Sequence, residues 1–326
     1  MANTILNVDG LHVGYRVYGG TLKVLDGIRL VMDAGEKIAV VGETGCGKTT
    51  TMKSIMGILP RQAVIRKGQI NFKGRNLLTP GTEARGMRTI RPKGVSMVFQ
   101  DPIAALNPVF TVGQQLSDVI KYSRGQTKQL SKQSVRDAAI EVLKLSALPD
   151  PERILTNYPF QLSGGMRQRV CIAMALSTAG DLLIADEPTT NLDVTIQDQV
   201  LRLIRNLVEE QGMSLALVTH SLGVARQMTD RIYIMYAGTM VEVAPTEGLF
   251  DKPFHPYTKG LLGSVPKLTG EGIGLGIPGR IPDYLKPPAG CRFYPRCEEA
   301  LPECKDNKPE LYDVGGGHRV ACFLYR

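Results

Sequence analysis

Residues 42–49 of this chain read GETGCGKT. The octapeptide matches the pattern G-x-x-x-x-G-K-[ST], in which a glycine-rich turn directs successive backbone N–H groups toward a phosphate. The apolar run KIAVV (37–41) precedes it, and TMKSIMGIL (51–59) follows it with helical spacing. This strand-loop-helix context argues against a chance glycine-rich turn. The stretch therefore predicts a phosphate-binding loop inside an α/β domain.

The side chains of this loop suggest distinct roles around a nucleotide and a magnesium ion. Lys48 would reach the outer phosphates, the Thr49 hydroxyl would bind magnesium, and Thr50 would add a hydroxyl donor. The helix that follows would offer its positive N-terminal end to the same anion. Nothing in the sequence pairs with Cys46, which favours a small tolerated side chain over a redox role. The predicted nucleotide contacts are Gly42, Glu43, Thr44, Gly45, Cys46, Gly47, Lys48, Thr49 and Thr50.

Two further apolar runs end in side chains suited to phosphate chemistry. LLIADE (182–187) delivers Asp186 and Glu187 at the end of a predicted strand. One carboxylate there can hold magnesium while the other orients or deprotonates the attacking water, and we assign Asp186 to the metal and Glu187 to the water. His220 ends the run SLALVTH (214–220). A lone histidine is often structural, but its place at a strand terminus favours contact with the γ-phosphate.

Outward from these motifs, predicted strands alternate with predicted helices over most of the chain. Such alternation is typical of an α/β fold with a mainly parallel sheet covered on both faces. The first 40 residues have the pattern of β-strands and predict an antiparallel β subdomain. The helical pattern at about 101–180 predicts a helical insertion. RIYIMYAGTMVEVA (231–244) predicts a hairpin that turns at Ala237 and Gly238.

Length and C-terminal composition set the expected domain organisation. A chain of 326 residues suffices for one large domain with an appendage. The stretch 268–290 is rich in Gly and Pro and lacks periodicity, which predicts an extended arm. We therefore expect a nucleotide-binding domain at 1–264 and an extension at 265–326.

Charge and hydropathy narrow the class of protein. The net charge of +8 is spread without a prominent block, which favours a solvated basic surface over nucleic-acid binding. No run approaches the roughly 20 apolar residues that cross a bilayer. The N-terminus MANTILNVDG lacks both the basic start and the apolar core of a signal peptide. Any membrane role is therefore expected to be peripheral, through a partner that spans the bilayer.

Four of the six cysteines crowd into the last 36 positions. Without a secretion signal, a metal or cluster site explains that crowding better than disulfides do. Structural zinc prefers C-x₂₋₄-C spacings, whereas four thiolates at looser spacing can hold a [4Fe–4S] cluster. Zinc and free thiols remain as alternatives, with His318 as a spare ligand. The predicted cluster ligands are Cys291, Cys297, Cys304 and Cys322.

The stretch LSGGMRQR (162–169) resembles the signature sequence of ATP-binding-cassette (ABC) ATPases. Gln100 after MVF resembles the Q-loop glutamine of that family, His220 its switch histidine, and NLD (191–193) its D-loop. Tyr15 resembles the aromatic residue that stacks on the adenine ring, although a surface strand aromatic would look the same. The resemblance implies magnesium held through Thr49, Gln100 and Asp186.

In that family two ATPase subunits pair head to tail, with each ATP between one chain's phosphate loop and the other chain's signature. The resemblance therefore implies that the signature contacts ATP bound to a partner and that Asp193 lies at the interface. Independently of the name, Ser163 and two glycines before MRQRVCIAMAL would place bare N–H groups at a helix N-terminus, a second anion site. The residues implied to contact the partner's ATP are Ser163, Gly164, Gly165 and Gln168.

Three further stretches narrow the resemblance. QDPIAALNPVFTVGQQ (100–115), HPYTKGLLGSVP (255–266) and GCRFYPRC (290–297) are similar to the oligopeptide/dipeptide branch of importer ATPases. Related tails carry cysteines in this pattern, some of which bind an iron–sulfur cluster. Departures from the family pattern are Cys46 and Thr49, where serine is frequent, and Asn191, where alanine is usual; none removes a catalytic group.

The branch implies an ATPase subunit that powers the import of di- or oligopeptides from the cytoplasmic face of the inner membrane. Its implied partners are a second, homologous ATPase subunit, two membrane permeases and, indirectly, an external substrate-binding protein. Related machines carry nickel, glutathione, opines or oligosaccharides, so these cargoes remain open. A soluble ABC ATPase acting on ribosomes or DNA usually has two cassettes or a coiled-coil insertion, and neither is visible. A third alternative is a regulatory iron–sulfur module with a vestigial nucleotide site. The intact catalytic residues argue against it; they are Lys48, Asp186, Glu187 and His220.

Overall fold

A computed structural model of the chain describes residues 3–78, 94–124, 130–178, 180–190, 192–265 and 276–326. Backbone contacts divide the chain into two compact units. The first comprises Met1–Asp33, Lys37–Thr79 and Val218–Arg326, and the second comprises Ala34–Glu36 and Pro80–Leu217. The C-terminal region thus shares one compact unit with the N-terminal strands, a grouping that the sequence division near residue 265 did not anticipate.

The regular elements are as follows. The strands are β1 (Thr4–Val17), β2 (Gly20–Asp33), β3 (Lys37–Val41), β4 (Ala63–Phe72), β5 (Arg75–Asn76), β6 (Val95–Val98), β7 (Leu182–Asp186), β8 (Ser214–Thr219), β9 (Arg231–Tyr236), β10 (Thr239–Pro245), β11 (Tyr312–Asp313) and β12 (Arg319–Val320). The helices are α1 (Lys48–Met56), α2 (Pro102–Ala105), α3 (Val112–Arg124), α4 (Lys132–Leu145), α5 (Pro151–Thr156), α6 (Gly164–Ser177), α7 (Val194–Glu210), α8 (Leu222–Met228), α9 (Thr246–Asp251) and α10 (Pro256–Gly263).

The first unit contains an antiparallel sheet in the order β2-β1-β4-β5. Along β1, Ile5 is buried near the start of the strand, and the alternating buried side chains are then Leu6 and Val8 followed by Leu11 and Val13. From Leu6 onward the buried face thus changes from even to odd positions. The pairing with β2 shifts register between Val8 and Leu11, which accounts for the change because a bulge adds one residue to one strand. Gly10 occupies the left-handed region at this bulge, with φ 59°.

The same unit carries the strand that leads into the phosphate loop. β3, which is apolar after Lys37, pairs in parallel with β9, and β9 forms a hairpin with β10. The hairpin turns at Ala237 (φ 44°) and Gly238 (φ 80°), as the sequence predicts, because two residues of positive φ match the twist of the strands. β12 from the C-terminal region pairs with β10, and β11 pairs with β12. The core beside β3 and β9 includes Phe293 from the C-terminal region.

In the second unit β6 pairs in parallel with β7. Its helices α3, α4, α5 and α6 enclose an apolar core that includes Leu116, Ile120, Leu143 and Val170. Side-chain caps set the starts of α2, α4, α5 and α6. In each of these helices the side chain of the preceding residue accepts a bond from a backbone N–H in the first turn; the residues are Asp101, Ser131, Asp150 and Ser163. Within the described ranges, no helix combines the length and the apolar character that crossing a membrane requires.

Candidate nucleotide-binding site

The phosphate loop connects β3 to α1 in the first unit, and its glycines are required by its path. A side chain at Gly42 would overlap the backbone oxygen of Met235 on the neighbouring strand. Gly45 (φ 82°) and Gly47 (φ 109°) occupy the left-handed region that other residues rarely adopt. Gly47 precedes α1 and supplies no side-chain cap, and the positive end of the helix dipole favours an anion at this position.

Lys48 is buried, and its ammonium is anchored by the loop itself. Its Nζ donates to the carbonyl oxygen of Gly42 at 2.8 Å and to that of Glu43 at 3.1 Å. These bonds hold a long, mobile cation at the N-terminus of α1, where the helix dipole also favours negative charge. A phosphate bound at this helix end would therefore meet backbone amides and an ammonium group together.

Cys46 lies inside the loop and is completely buried. Burial raises the pKa of its thiol to about 11, and the opposing effect of Lys48 is smaller. The thiol is therefore protonated at neutral pH and packs as a small apolar group, in keeping with the structural role expected for it.

Tyr15 approaches the loop from β1. Its hydroxyl and the Thr50 hydroxyl lie 3.3 Å apart, and either can donate the hydrogen bond. The half-buried ring thus stands beside the start of α1, whereas Tyr18 is fully exposed. His220 is exposed after β8 and directly precedes Ser221, whose side chain caps α8.

In the second unit, the structure brings Gln100 and Glu187 together. Gln100 Nε2 donates to Glu187 Oε2 at 2.9 Å, and Thr190 Oγ1 donates to the same oxygen at 3.1 Å. Glu187 has a φ of 45° and follows buried Asp186 at the end of β7. A non-glycine residue with this backbone conformation is strained, and such strain is common where a side chain must be held for function. The carboxylate is thus positioned by two neutral donors.

The donor set named for magnesium fits that ion by its chemistry. Asp186 offers a carboxylate, Gln100 an amide oxygen and Thr49 a hydroxyl, and hard oxygen ligands of this kind suit Mg²⁺. Asp186 stands in the second unit and Thr49 at the start of α1 in the first.

The signature forms the N-terminus of α6, as its sequence predicts. Ser163 is the N-cap, and its Oγ accepts from the Met166 N–H at 3.3 Å. A side chain at Gly164 would meet open space, whereas one at Gly165 would lie 3.0 Å from Ile196 of α7. Asp193 caps α7 by accepting from the Ile196 N–H at 3.0 Å. The structure therefore joins the signature to the D-loop through Ile196; Asn191 lies outside the described residues.

Gln168 does not share the position of the other signature residues. Its side chain is only 2% exposed, and within the described ranges its Nε2 has no hydrogen-bond partner. Four residues after Gly164, it occupies the inner face of α6. The expected contact of Gln168 with a partner's ATP stays a prediction.

The four C-terminal cysteines are all free thiols and lie in the first unit; they are Cys291, Cys297, Cys304 and Cys322. The Cys291 N–H donates to the Cys304 carbonyl oxygen at 2.9 Å. Burial raises the pKa of Cys291 to about 11, and Cys304 and Cys297 raise it further by their charge. Burial also raises the pKa of Cys322, with contributions from Cys297 and Cys304, so the thiols influence one another.

This neighbourhood does not have the geometry of a single-ion site. Within the described ranges, no group of three or more His, Cys, Asp or Glu side chains could hold a metal ion. The zinc alternative and the iron–sulfur prediction are therefore both without geometric support. His318 is not a ligand in this arrangement, because its Nε2 contacts Glu242 Oε1 at 2.7 Å.

Residues of the C-terminal region contact the phosphate loop, and the sequence did not reveal this. Tyr284 donates from its hydroxyl to the Gly45 carbonyl oxygen at 2.8 Å. The Tyr257 hydroxyl accepts from the Glu43 N–H at 3.0 Å, and Arg296 pairs with the Glu43 carboxylate at 3.0 Å. Tyr257 and Arg296 lie in the HPYT and YPRC stretches that the sequence singled out, but neither motif indicates a partner.

Comparison with known proteins decides the family. Residues 25–190 match the family model described as ABC transporter, and residues 241–304 match the one described as oligopeptide/dipeptide transporter, C-terminal region. The chain belongs to the ABC transporter family. Both parts of the resemblance inferred from the sequence are thereby confirmed, the cassette and the oligopeptide/dipeptide branch.

Curated relatives extend the likeness to almost the whole chain. The dipeptide transport ATP-binding protein DppD of Bacillus subtilis is 45% identical over 322 residues, which are 98% of this chain and 94% of the relative. The oligopeptide transport ATP-binding protein AppD of the same organism is 43% identical over 99% of this chain and 97% of its own length.

Solved structures of ABC cassettes share the fold. The dimeric cassette MJ0796 in a post-hydrolysis state, bound to ADP and phosphate, is 27% identical, with a TM-score of 0.65. The likeness covers 74% of this chain and 99% of that cassette. The predicted fold class, a P-loop ABC-type nucleotide-binding domain, is confirmed.

Proposed function

We propose that this chain is the ATP-hydrolysing subunit of a transporter that imports di- or oligopeptides. One observation carries the proposal: a single chain presents two helix N-termini built for anions, the phosphate loop before α1 and the Ser163-capped start of α6. The cassette fold and the names of the relatives, which are dipeptide and oligopeptide transport ATP-binding proteins, support it.

For the reaction, we assign a role to each group of the site. The amides at the start of α1 and the Lys48 ammonium bind the phosphates, and Tyr15 stacks on the adenine. Thr49, Gln100 and Asp186 would hold magnesium, which when bound would supply positive charge to neutralise the phosphates. Glu187 orients or deprotonates the water, a role supported by the two donors that fix its carboxylate.

We propose that hydrolysis requires a second ATPase subunit. Ser163, Gly164 and Gly165 would contact the ATP of that partner, and Asp193 would lie at the interface. The open space beside Gly164 supports this, because a nucleotide could approach the backbone there. The partner would be a homologous but distinct chain, as in related importers, and closure of the pair on ATP would drive the attached permeases.

The remaining partners and the location belong to the same proposal. Two membrane permeases would hold the chain at the cytoplasmic face of the inner membrane, and an external substrate-binding protein would act indirectly. The oligopeptide-type C-terminal region and the named relatives favour peptide over nickel, glutathione, opine or oligosaccharide cargo. No part of the proposal involves nucleic acid.

We further propose that Cys291, Cys297, Cys304 and Cys322 hold a [4Fe–4S] cluster rather than zinc. Four thiols are the donor set that such a cluster uses. Their influence on one another's pKa supports a shared neighbourhood. Each thiolate would bind a different iron, so the four need not converge as closely as around one ion. Iron and sulfide analysis of anaerobically purified protein tests this, and zinc or no metal would contradict it.

The decisive experiment compares Glu187→Gln with wild type in the assembled transporter. We expect ATP turnover and peptide uptake into proteoliposomes to fall at least a hundredfold together, while ATP binding persists, because removing a general base costs about 10²–10⁴-fold. Glu141→Gln, an exposed change on α4, is the control and should leave both rates unchanged. Turnover without permease association or peptide uptake would favour a soluble ABC ATPase instead.

A further inference from the structure

The phosphate loop is held from outside by the C-terminal half of the first unit. Glu43, the second residue of the loop, receives most of these contacts. Its N–H donates to the Tyr257 hydroxyl at 3.0 Å, and its carbonyl oxygen accepts from Lys48. Its carboxylate accepts two bonds from Arg296 Nη1, at 3.0 and 3.2 Å. Backbone and side chain of this one residue are thus both fixed.

Backbone carbonyl groups orient the Arg296 side chain independently of Glu43. Its Nε donates to the Pro278 carbonyl oxygen at 2.8 Å, and its Nη2 donates to that of Ile277 at 2.9 Å. The side chain is only 5% exposed, and its guanidinium lies 5.6 Å from the centre of the Tyr236 ring. A planar cation held at two of its nitrogens and stacked on an aromatic ring loses little further entropy when it pairs with a carboxylate.

The negative charge of the Glu43 carboxylate, which Arg296 holds, would oppose phosphate binding at the loop. Glu43 brings a negative charge into a turn whose function is to bind the negative charges of a triphosphate. Like charges a few ångströms apart repel strongly where solvent is partly excluded, and the Glu43 side chain is about three-quarters buried, at 28% exposure. Lys48 cannot offset this charge and also serve the phosphates. Arg296 supplies a second, fixed cation at the loop.

We propose that Arg296 is a positioning residue for ATP binding: it holds the Glu43 carboxylate in place and neutralises its charge at the loop. This inference rests on the nucleotide-binding role proposed for residues 42–50. It gives the C-terminal extension a part in the ATP site of its own chain, through contacts that a cassette ending before residue 276 would not have.

The test uses the full chain with its transporter partners and measures KM and kcat for ATP. We expect Arg296→Gln to raise KM roughly tenfold with kcat changed less than about twofold, since a charge-assisted bond to a partly buried group is lost. The double variant with Glu43→Gln should recover most of the wild-type KM, because the unpaired carboxylate is gone. Glu43→Gln alone should lower KM, because the carboxylate is lost while Arg296, held by the Pro278 and Ile277 carbonyl oxygens, keeps its positive charge at the loop.

The rescue separates electrostatics from folding. If Arg296 merely braced the extension, Glu43→Gln could not restore KM, and an unrescued increase overturns the proposal; so does an unchanged KM in Arg296→Gln. Lys308→Gln is the control for tethering, because Lys308 also ties the extension to β2, through the Asp26 carbonyl oxygen at 2.7 Å. It should leave KM unchanged.

Two further measurements cover the cases in which Arg296→Gln does not fold or residues 42–50 do not bind ATP. If Arg296→Gln does not fold by circular dichroism, Glu43→Gln still decides, because an increase in KM would show that the carboxylate assists ATP and would overturn the proposal. Failure of the underlying site looks different: Lys48→Ala would then leave the ATP KM and kcat at their wild-type values, whatever happens at Arg296.

Discussion

At the scale of single residues, the most constrained positions of this protein are buried polar groups. His255 is fully buried and begins α10. Its Nδ1 accepts the Tyr257 N–H at 3.0 Å, so this nitrogen carries no proton and the ring is neutral. This cap affects the site, since Tyr257 in the first turn of α10 carries the hydroxyl that accepts from the Glu43 N–H.

This histidine predicts a pH dependence of stability. Burial lowers its pKa to about 4; Glu242 opposes the shift and Lys259 adds to it. A histidine with a lowered pKa binds its proton more readily unfolded, so stability falls as pH drops from about 6.5 toward 4, by up to about 3 kcal/mol. Urea unfolding at several pH values measures the slope. His255→Asn, which keeps a capping oxygen, should flatten it; an unchanged slope would contradict the assignment.

Glu242, which is also fully buried, affects stability in the same direction but at lower pH. Burial would raise the pKa of its carboxyl, but bonds from His318, Thr258 and the Phe254 and His255 amides outweigh that effect and lower it. Its stabilising contribution is therefore present above about pH 4.5 and is lost only as pH falls below that value. The loss of stability between pH 6.5 and 4.5 can thus be attributed to His255 rather than to Glu242.

At the scale of elements, helix starts carry both stability and function. Ser163 caps α6 and Ser131 caps α4 with the same geometry, each Oγ accepting the N–H three residues on. The physical contribution of the two caps to folding should be alike, but only one stands at the signature.

These two caps make a matched pair of substitutions. Ser163→Ala and Ser131→Ala should each lower the free energy of unfolding by about 1 kcal/mol, measured by denaturant titration. ATP turnover should fall at least tenfold in Ser163→Ala alone, since its hydroxyl and helix end would bind the partner's nucleotide. Equal loss of turnover in both variants would mean that Ser163 acts only through helix stability.

The elements also show why local patterns succeeded where they did. β3 and β7 were predictable because each contains four consecutive apolar residues, a short run with few alternatives in an α/β chain. α6 was predictable because a serine cap precedes it. The bulge in β1 was not evident, since the parity change from Val8 to Leu11 becomes meaningful only when the pairing with β2 is known.

At the scale of the whole molecule, the C-terminal region completes the core of the first unit. Phe293 packs edge-on against Tyr236, with ring centres 5.1 Å apart, and against Tyr257 at 5.5 Å. Arg292 beside it donates to the Ala237 carbonyl oxygen in the β9–β10 turn. The β9–β10 turn also contacts the phosphate loop: the Gly238 N–H donates to the Cys46 carbonyl oxygen at 2.7 Å.

Phe293→Ala should therefore affect both folding and nucleotide binding. Removing a buried aromatic ring lowers the free energy of unfolding by about 3–5 kcal/mol. The loosened Tyr257 would also raise the ATP KM, measured in the same preparation. Leu324→Ala, at a partly exposed C-terminal position, is the control and should change neither by much. A stable Phe293→Ala with unchanged KM would mean that the extension is not part of this core.

The loop at 42–49, the carboxylates after β7 and the capped signature helix could be predicted from the sequence, because they are local patterns that local backbone preferences suffice to form. The distant residues that support these motifs became evident from the packed fold. It placed Tyr257, Tyr284 and Arg296 on the loop, joined Gly165 to Asp193 through Ile196, and buried Gln168. The physical reason is range, because a motif encodes hydrogen bonds to near neighbours, whereas contacts across 200 residues arise when the core packs.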